Sequence, residues 1–116
     1  MFIAYAVVGI LLSLMLVASA RAKLVRDPKI VEGMGTLGVS ARALPLLAAA
    51  EIAGAAGLLI GLWLAPLGVA AAIGVVAYFV GAVAAHLRVA DYKNTLPAAV
   101  GLIVAIAVLG LRVASM

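Results

Sequence analysis

Four stretches of 18 to 22 residues, almost free of charged side chains, make up most of this chain. Together they contain a single Asp, Glu, Lys or Arg, which is Glu51. An α-helix rises about 1.5 Å per residue, so about 20 residues cross a hydrocarbon core about 30 Å thick. A helix also satisfies its own backbone polar groups in lipid. We therefore predict an all-α fold, a membrane-embedded four-helix antiparallel bundle in one domain over residues 1–116. The predicted spans are residues 2–20, 43–64, 67–87 and 96–112.

Composition narrows the chemistry that the chain can carry. Hydrophobic residues make up 69% of its 116 residues, against about 45–50% in soluble domains. The chain has no cysteine, which excludes disulfides, thiolate metal sites and iron–sulfur clusters. It has one histidine, which supplies only one axial haem ligand per chain. We expect no metal site, and any electron transfer would depend on a bound cofactor.

The positive charges predict the orientation. Seven of the eight Lys and Arg residues lie in segments 21–42 and 88–95, and the eighth is Arg112. Because loops rich in Lys and Arg stay inside, we predict that both segments are cytoplasmic in a multi-pass protein of the cell membrane. Tyr5 and Trp63 are then expected at the outer interface as aromatic anchors. Since this topology accounts for the net charge of +4, we expect lipid and not nucleic acid as the partner.

Small residues indicate close contact between helices. Gly57 and Gly61 are four residues apart, in the register that lets two helix backbones approach in lipid. The sequence leaves two uses of such faces open. They can pack the bundle against itself, or they can dock a second copy or a partner membrane protein.

The polar residues at one end of the predicted bundle form the candidate site. A carboxylate such as Glu51 costs about 2.5–3.5 kcal/mol within a span, so it needs a partner and marks a functional site by default. Antiparallel spans bring Lys23, His86, Arg88 and Asp91 to the same end. We predict Glu51 and His86 as catalytic candidates and Lys23, Arg88 and Asp91 as substrate-binding candidates. The alternatives are a structural ion pair at Glu51 and topology or interface roles for the others.

The segment between the first two spans is the largest outside them. Asp27 and Pro28 have the character of a helix N-cap followed by the first helical residue. We predict a short amphipathic helix over about 27–34, followed by a glycine-rich turn, that covers the polar layer. The glycines of residues 33–38 are not a dinucleotide-binding fingerprint, because no strand precedes them.

Three stretches of this sequence resemble the DoxX-like family of small four-helix membrane proteins. They are Ala18–Leu24 (ASARAKL), Leu47–Ile60 (LAAAEIAGAAGLLI) and Ala82–Asp91 (AVAAHLRVAD). One departure is Arg21-Ala22, where many relatives have a glycine before the lysine. The resemblance covers essentially the whole chain and implies a four-helix bundle, with a bacterial inner membrane as its location.

The resemblance implies little about activity. The family is named after a subunit associated with thiosulfate–quinone oxidoreduction, and the residues carried over are Lys23, Glu51, His86 and Arg88. Two functions stay open. The bundle can bind or convert a small lipophilic molecule such as a quinone, with oxidoreductase or acid–base chemistry, or it can be a non-catalytic accessory subunit of a membrane complex. Whether the chain is an enzyme is also left open.

Overall fold

The computed structural model describes all 116 residues, apart from the side chain of Ala41. Its five α-helices and one short 3-10 turn leave only brief connections. The helices are α1 (Phe2–Leu24), α2 (Pro28–Thr36), α3 (Leu44–Ile60), α4 (Ala65–Arg88) and α5 (Tyr92–Ala114). The 3-10 turn, Ala41–Ala43, leads directly into α3. The predicted all-α fold is confirmed.

The four long helices form a bundle about 41 Å long. α1 packs against α3 and α5, and α4 packs against the same two helices, so each long helix has two neighbours. Buried side chains from all four meet along the axis, including Tyr5, Leu16, Leu58 and Val108. α2 contacts α1 and the 3-10 turn at one end, where it covers the bundle. We call this the α2 end, and the other the Arg112 end.

Length separates α3 from the other long helices. α1, α4 and α5 are each long and apolar enough to cross a membrane. α3 has 17 residues and is about 26 Å long, shorter than the predicted span 43–64. It ends at Ile60 because the chain turns where Gly61 meets Gly68. A Cβ atom on Gly61 would lie 2.3 Å from the Gly68 Cα, so only glycine permits this approach.

The outer surface of the bundle is apolar. Large side chains such as Ile3, Leu46 and Ile103 are mostly exposed around it. A surface of this kind matches lipid, whereas in water it would form unusually large apolar patches. Trp63 is also 80% exposed, but Tyr5 is wholly buried, so the interpretation of Tyr5 as an interface anchor was wrong. Its hydroxyl donates instead to the Leu58 carbonyl oxygen, at 2.8 Å.

The segment after α1 folds as its sequence predicts. Asp27 is the N-cap of α2, and its carboxylate accepts a hydrogen bond from the Lys29 amide at 3.0 Å. Pro28 occupies the first turn, where a missing N–H costs little. None of the α2 residues is fully buried, so the helix lies on the bundle end as a cover and not as part of the core.

Candidate functional site

A cavity of about 390 Å³ lies at the α2 end, bounded by side chains from all five helices. Much of its wall is apolar, with Met15, Leu16 and Phe79 among its members. Its polar and charged lining residues are Ser19, Lys23, Lys29, Glu51, Tyr78, His86, Asp91 and Asn94. A concave, mostly apolar pocket with a few converging polar groups is the usual form of a small-molecule site.

Lys23 and Glu51 form a buried ion pair in the wall of this cavity. Lys23 Nζ lies 2.8 Å from Glu51 Oε1, and the two side chains are 5% and 3% exposed. Lys23 also donates to Ser19 Oγ at 2.8 Å, one helical turn earlier on α1. The Lys23 ammonium therefore satisfies Glu51 Oε1. A carboxylate has about four acceptor sites, so Glu51 keeps capacity for further hydrogen bonds.

Tyr78 is one of several site residues that sequence reasoning missed. It lies on α4 next to Glu51, and its phenol interacts with that carboxylate. Tyr78 lies in an uncharged span, where nothing distinguished it from an ordinary core aromatic residue. A helical spacing could have identified it, because Tyr78, Ala82 and His86 follow one another at intervals of four and all three line the cavity.

His86, Asp91 and Asn94 form a hydrogen-bonded group between α4 and α5. His86 Nδ1 lies 3.3 Å from Asp91 Oδ2, and Asn94 Nδ2 lies 3.1 Å and 3.0 Å from the two carboxylate oxygens. Asp91 precedes α5, outside the spans. The hydrogen bond from Asn94, and then the contact with His86, lower the pKa of the Asp91 carboxyl. Asp91 thus holds one ring nitrogen of His86, which leaves Nε2 as the nitrogen available to a ligand.

Arg88 does not line the cavity, but it contacts a residue that does. Its Nη2 donates to the Leu37 carbonyl oxygen at 2.7 Å, just beyond the end of α2. Of the five predicted site residues, the structure brings Lys23, Glu51, His86 and Asp91 into the cavity wall, and Arg88 is not part of that wall. Arg88 instead joins the end of α4 to the segment that follows the covering helix.

A family model described as the DoxX-like family matches residues 7–108. The chain belongs to the DoxX-like family. The match includes all five predicted site residues and ends before Arg112. No curated protein and no solved structure matches this DoxX-like chain significantly. Family membership and three long apolar helices together identify it as an integral membrane protein.

The site of this DoxX-like protein offers three kinds of polar contact. The ammonium group of Lys23 can donate, the carboxylate of Glu51 can accept, and the imidazole of His86 can do either. In the part of the chain that the structure describes, no three His, Cys, Asp or Glu residues lie together as metal ligands.

Proposed function

We propose that the cavity binds the polar head of a small lipophilic molecule, such as a quinone, taken from the membrane. The observation that carries this proposal is the buried ion pair of Lys23 and Glu51 in the cavity wall. Hydrogen bonds to the remaining lone pairs and protons offset the desolvation of a buried ion pair. A ligand hydroxyl would supply such a bond to the Glu51 carboxylate.

The residues suit both protonation states of such a head group. A carbonyl oxygen would accept a hydrogen bond from Lys23, and a hydroxyl would donate one to Glu51. Glu51 and His86 are our candidates for proton exchange, since a carboxylate and an imidazole are common acid–base groups. Asp91 would orient His86, and Arg88 would hold the segment after α2 in place.

The positive charges suggest where the site opens. Segments 21–42 and 88–95, with seven of the eight Lys and Arg residues, flank the α2 end. We therefore propose that the α2 end is cytoplasmic, in a bacterial inner membrane. Protons would then exchange with the cytoplasm, past the α2 cover.

The ion pair also favours a second function. It joins α1 to α3, and buried pairs of this kind can fix the register of packed elements. In that case the protein is a non-catalytic subunit, and its small-residue faces dock a partner membrane protein or a second copy.

Native mass spectrometry with lipid extraction tests these functions. Wild type and Glu51→Gln are purified gently from their own membrane, beside Tyr5→Phe, which loses a buried hydrogen bond at the opposite end. We expect wild type and Tyr5→Phe to retain a quinone or another isoprenoid. Because a hydrogen bond to a charged group contributes about 1.5–3 kcal/mol, Glu51→Gln should retain about tenfold less. Equal retention in Glu51→Gln contradicts the proposal, and a protein partner kept by all three, without ligand, supports the accessory subunit.

A further inference from the structure

A second cavity, of about 530 Å³, opens between α3 and α4. Its α3 wall includes Ala50, Ala53 and Gly54, and its α4 wall includes Ala71 and Gly74. We call this cavity the α3–α4 groove. Its walls are formed mainly by small side chains, so a slender apolar chain could lie between the two helices.

The two helices pack closely beside the groove. Near the turn that joins them, a Cβ on Gly57 would lie 2.6 Å from the Ala71 Cβ, and farther from the turn a Cβ on Gly54 would lie 2.8 Å from Val75 Cγ2. Gly74 is exposed, and a Cβ there would meet nothing within 4 Å. The groove therefore lies on the outer side of the contact between α3 and α4.

The α3–α4 groove ends at the residues of the polar cavity. Leu16, Glu51 and Tyr78 line both spaces. Glu51 itself is 4% exposed. The only carboxylate within a span therefore lies in the wall that the groove shares with the polar cavity.

We infer that the α3–α4 groove seats the apolar tail of the ligand and admits it sideways from the lipid, with its head at Glu51. This inference rests on the proposed function and adds a chemical class to it, an oxygen-bearing head on a single unbranched or isoprenoid chain. Such a molecule is dissolved in the bilayer, so entry from the side through the groove keeps its apolar tail out of water.

A third cavity supplies the competing route. It lies between α1 and α5, measures about 590 Å³ and shares Met15 and Pro97 with the polar cavity. Its lining, which includes Leu12, Val100 and Val104, is apolar throughout. A ligand there would meet no hydrogen-bonding side chain along the path, whereas the α3–α4 groove leads directly to Glu51 and Tyr78.

Two glycines of α4 provide a matched test. Gly74→Leu fills the α3–α4 groove, while Gly81→Leu adds the same side chain about two turns farther along α4. A Cβ has open space at both positions, so both variants should fold. A third variant, Val100→Phe, fills the cavity between α1 and α5. Wild type and each variant are titrated in lipid nanodiscs with two compounds. One is a benzoquinone with a ten-carbon tail, and the other is the same benzoquinone with a methyl group in place of the tail.

We expect Gly74→Leu to bind the tailed quinone about tenfold more weakly than wild type or worse, and the tail-free quinone unchanged. Gly81→Leu and Val100→Phe should bind both compounds like wild type. Unchanged binding of the tailed quinone by Gly74→Leu overturns the inference, as does a loss caused by Val100→Phe instead. A dimer that Gly74→Leu dissociates, detected by native mass spectrometry, would also overturn it and assign the groove to a second copy. If wild type binds neither compound, the proposed function itself fails.

Discussion

Each end of the bundle buries one cation, but the groups around the two cations differ. At the α2 end, Lys23 is paired with Glu51, and both line a cavity. At the other end, Arg112 is 5% exposed, and its guanidinium lies over the rings of Phe2 and Tyr5, at 5.5 Å and 5.1 Å from their centroids. Among the described residues, no carboxylate forms an ion pair with Arg112.

The Arg112 end holds the bundle together by packing. Arg112 Nη1 donates to Ser115 Oγ at 3.0 Å, and the aromatic faces supply cation–π attraction. Nearby, Gly61 and Gly68 bring α3 and α4 into backbone contact beside the Tyr5 hydroxyl. The Arg112 end is packed around its cation, whose Nε has no hydrogen-bond partner among the described residues, whereas at the α2 end the buried ion pair lines a cavity.

Removal of Lys23 should have the largest effect on stability. Lys23→Met leaves Glu51 buried without a counterion, and we expect the free energy of unfolding to fall by about 3–5 kcal/mol. Reversible unfolding by SDS in mild detergent, followed by circular dichroism, measures it. Lys29→Met, at an exposed position of the cover, is the control and should change little. A Lys23→Met protein as stable as this control would show that the pair is not needed by the fold.

At the Arg112 end, Gly61→Ala should disrupt packing. The added Cβ meets the backbone of Gly68, so α3 and α4 must separate, and we expect a loss of about 2–3 kcal/mol. Gly110→Ala is the matched control, because a Cβ there meets nothing within 4 Å. The same SDS titration compares them. Equal stability of the two variants would mean that the hairpin does not need this close approach.

Tyr5→Phe should have a smaller effect at the same end. It removes the hydrogen bond to the Leu58 carbonyl and leaves the ring over Arg112, so we expect a loss of about 1 kcal/mol. Unfolding in SDS gives the value, and ligand retention should not change. Loss of the ligand in Tyr5→Phe would contradict the separation of the two ends into a binding end and a packed end.

The smallest effect that we predict depends on pH. The folded-state pKa of Asp91 is lowered from 3.8, so its stabilising contribution is present above pH 3.8 and is lost as the pH falls through the folded value. Asp91→Asn should therefore have a lower melting temperature than wild type at pH 5 to 7, and the difference should shrink as the pH falls below 3.8. Thermal unfolding across this range measures it. A difference that persists at the lowest pH would mean that the Asp91 charge is not its source.

The uncharged stretches were sufficient to predict the helices and the end at which the polar residues meet. Convergence of Lys23, Glu51 and His86 follows from alternating helix direction alone. The length of α3 could not be predicted, because it depends on the contact between Gly61 and Gly68. The hydrogen bond from Arg88 to the Leu37 carbonyl oxygen could not be predicted either, because it depends on the path of the segment after α2.

Tyr78 and Tyr5 show a second limit. Both lie in apolar helices, where a tyrosine can face lipid, the core or a cavity. Which of these it faces depends on a hydrogen-bond partner that another helix supplies. Glu51 lies beside Tyr78, and the Leu58 carbonyl accepts from Tyr5. Sequence spacing assigns each tyrosine to a face of its own helix, but it does not show what that face meets.

The most direct test of the α2 end as a binding site is the double variant Lys23→Met/Glu51→Leu. Replacing both members of a buried ion pair with apolar residues is often neutral for stability, so the bundle should unfold at the same SDS concentration as wild type. We predict that this stable protein no longer binds the tailed quinone in nanodiscs. A double variant that binds the quinone like wild type would contradict the account.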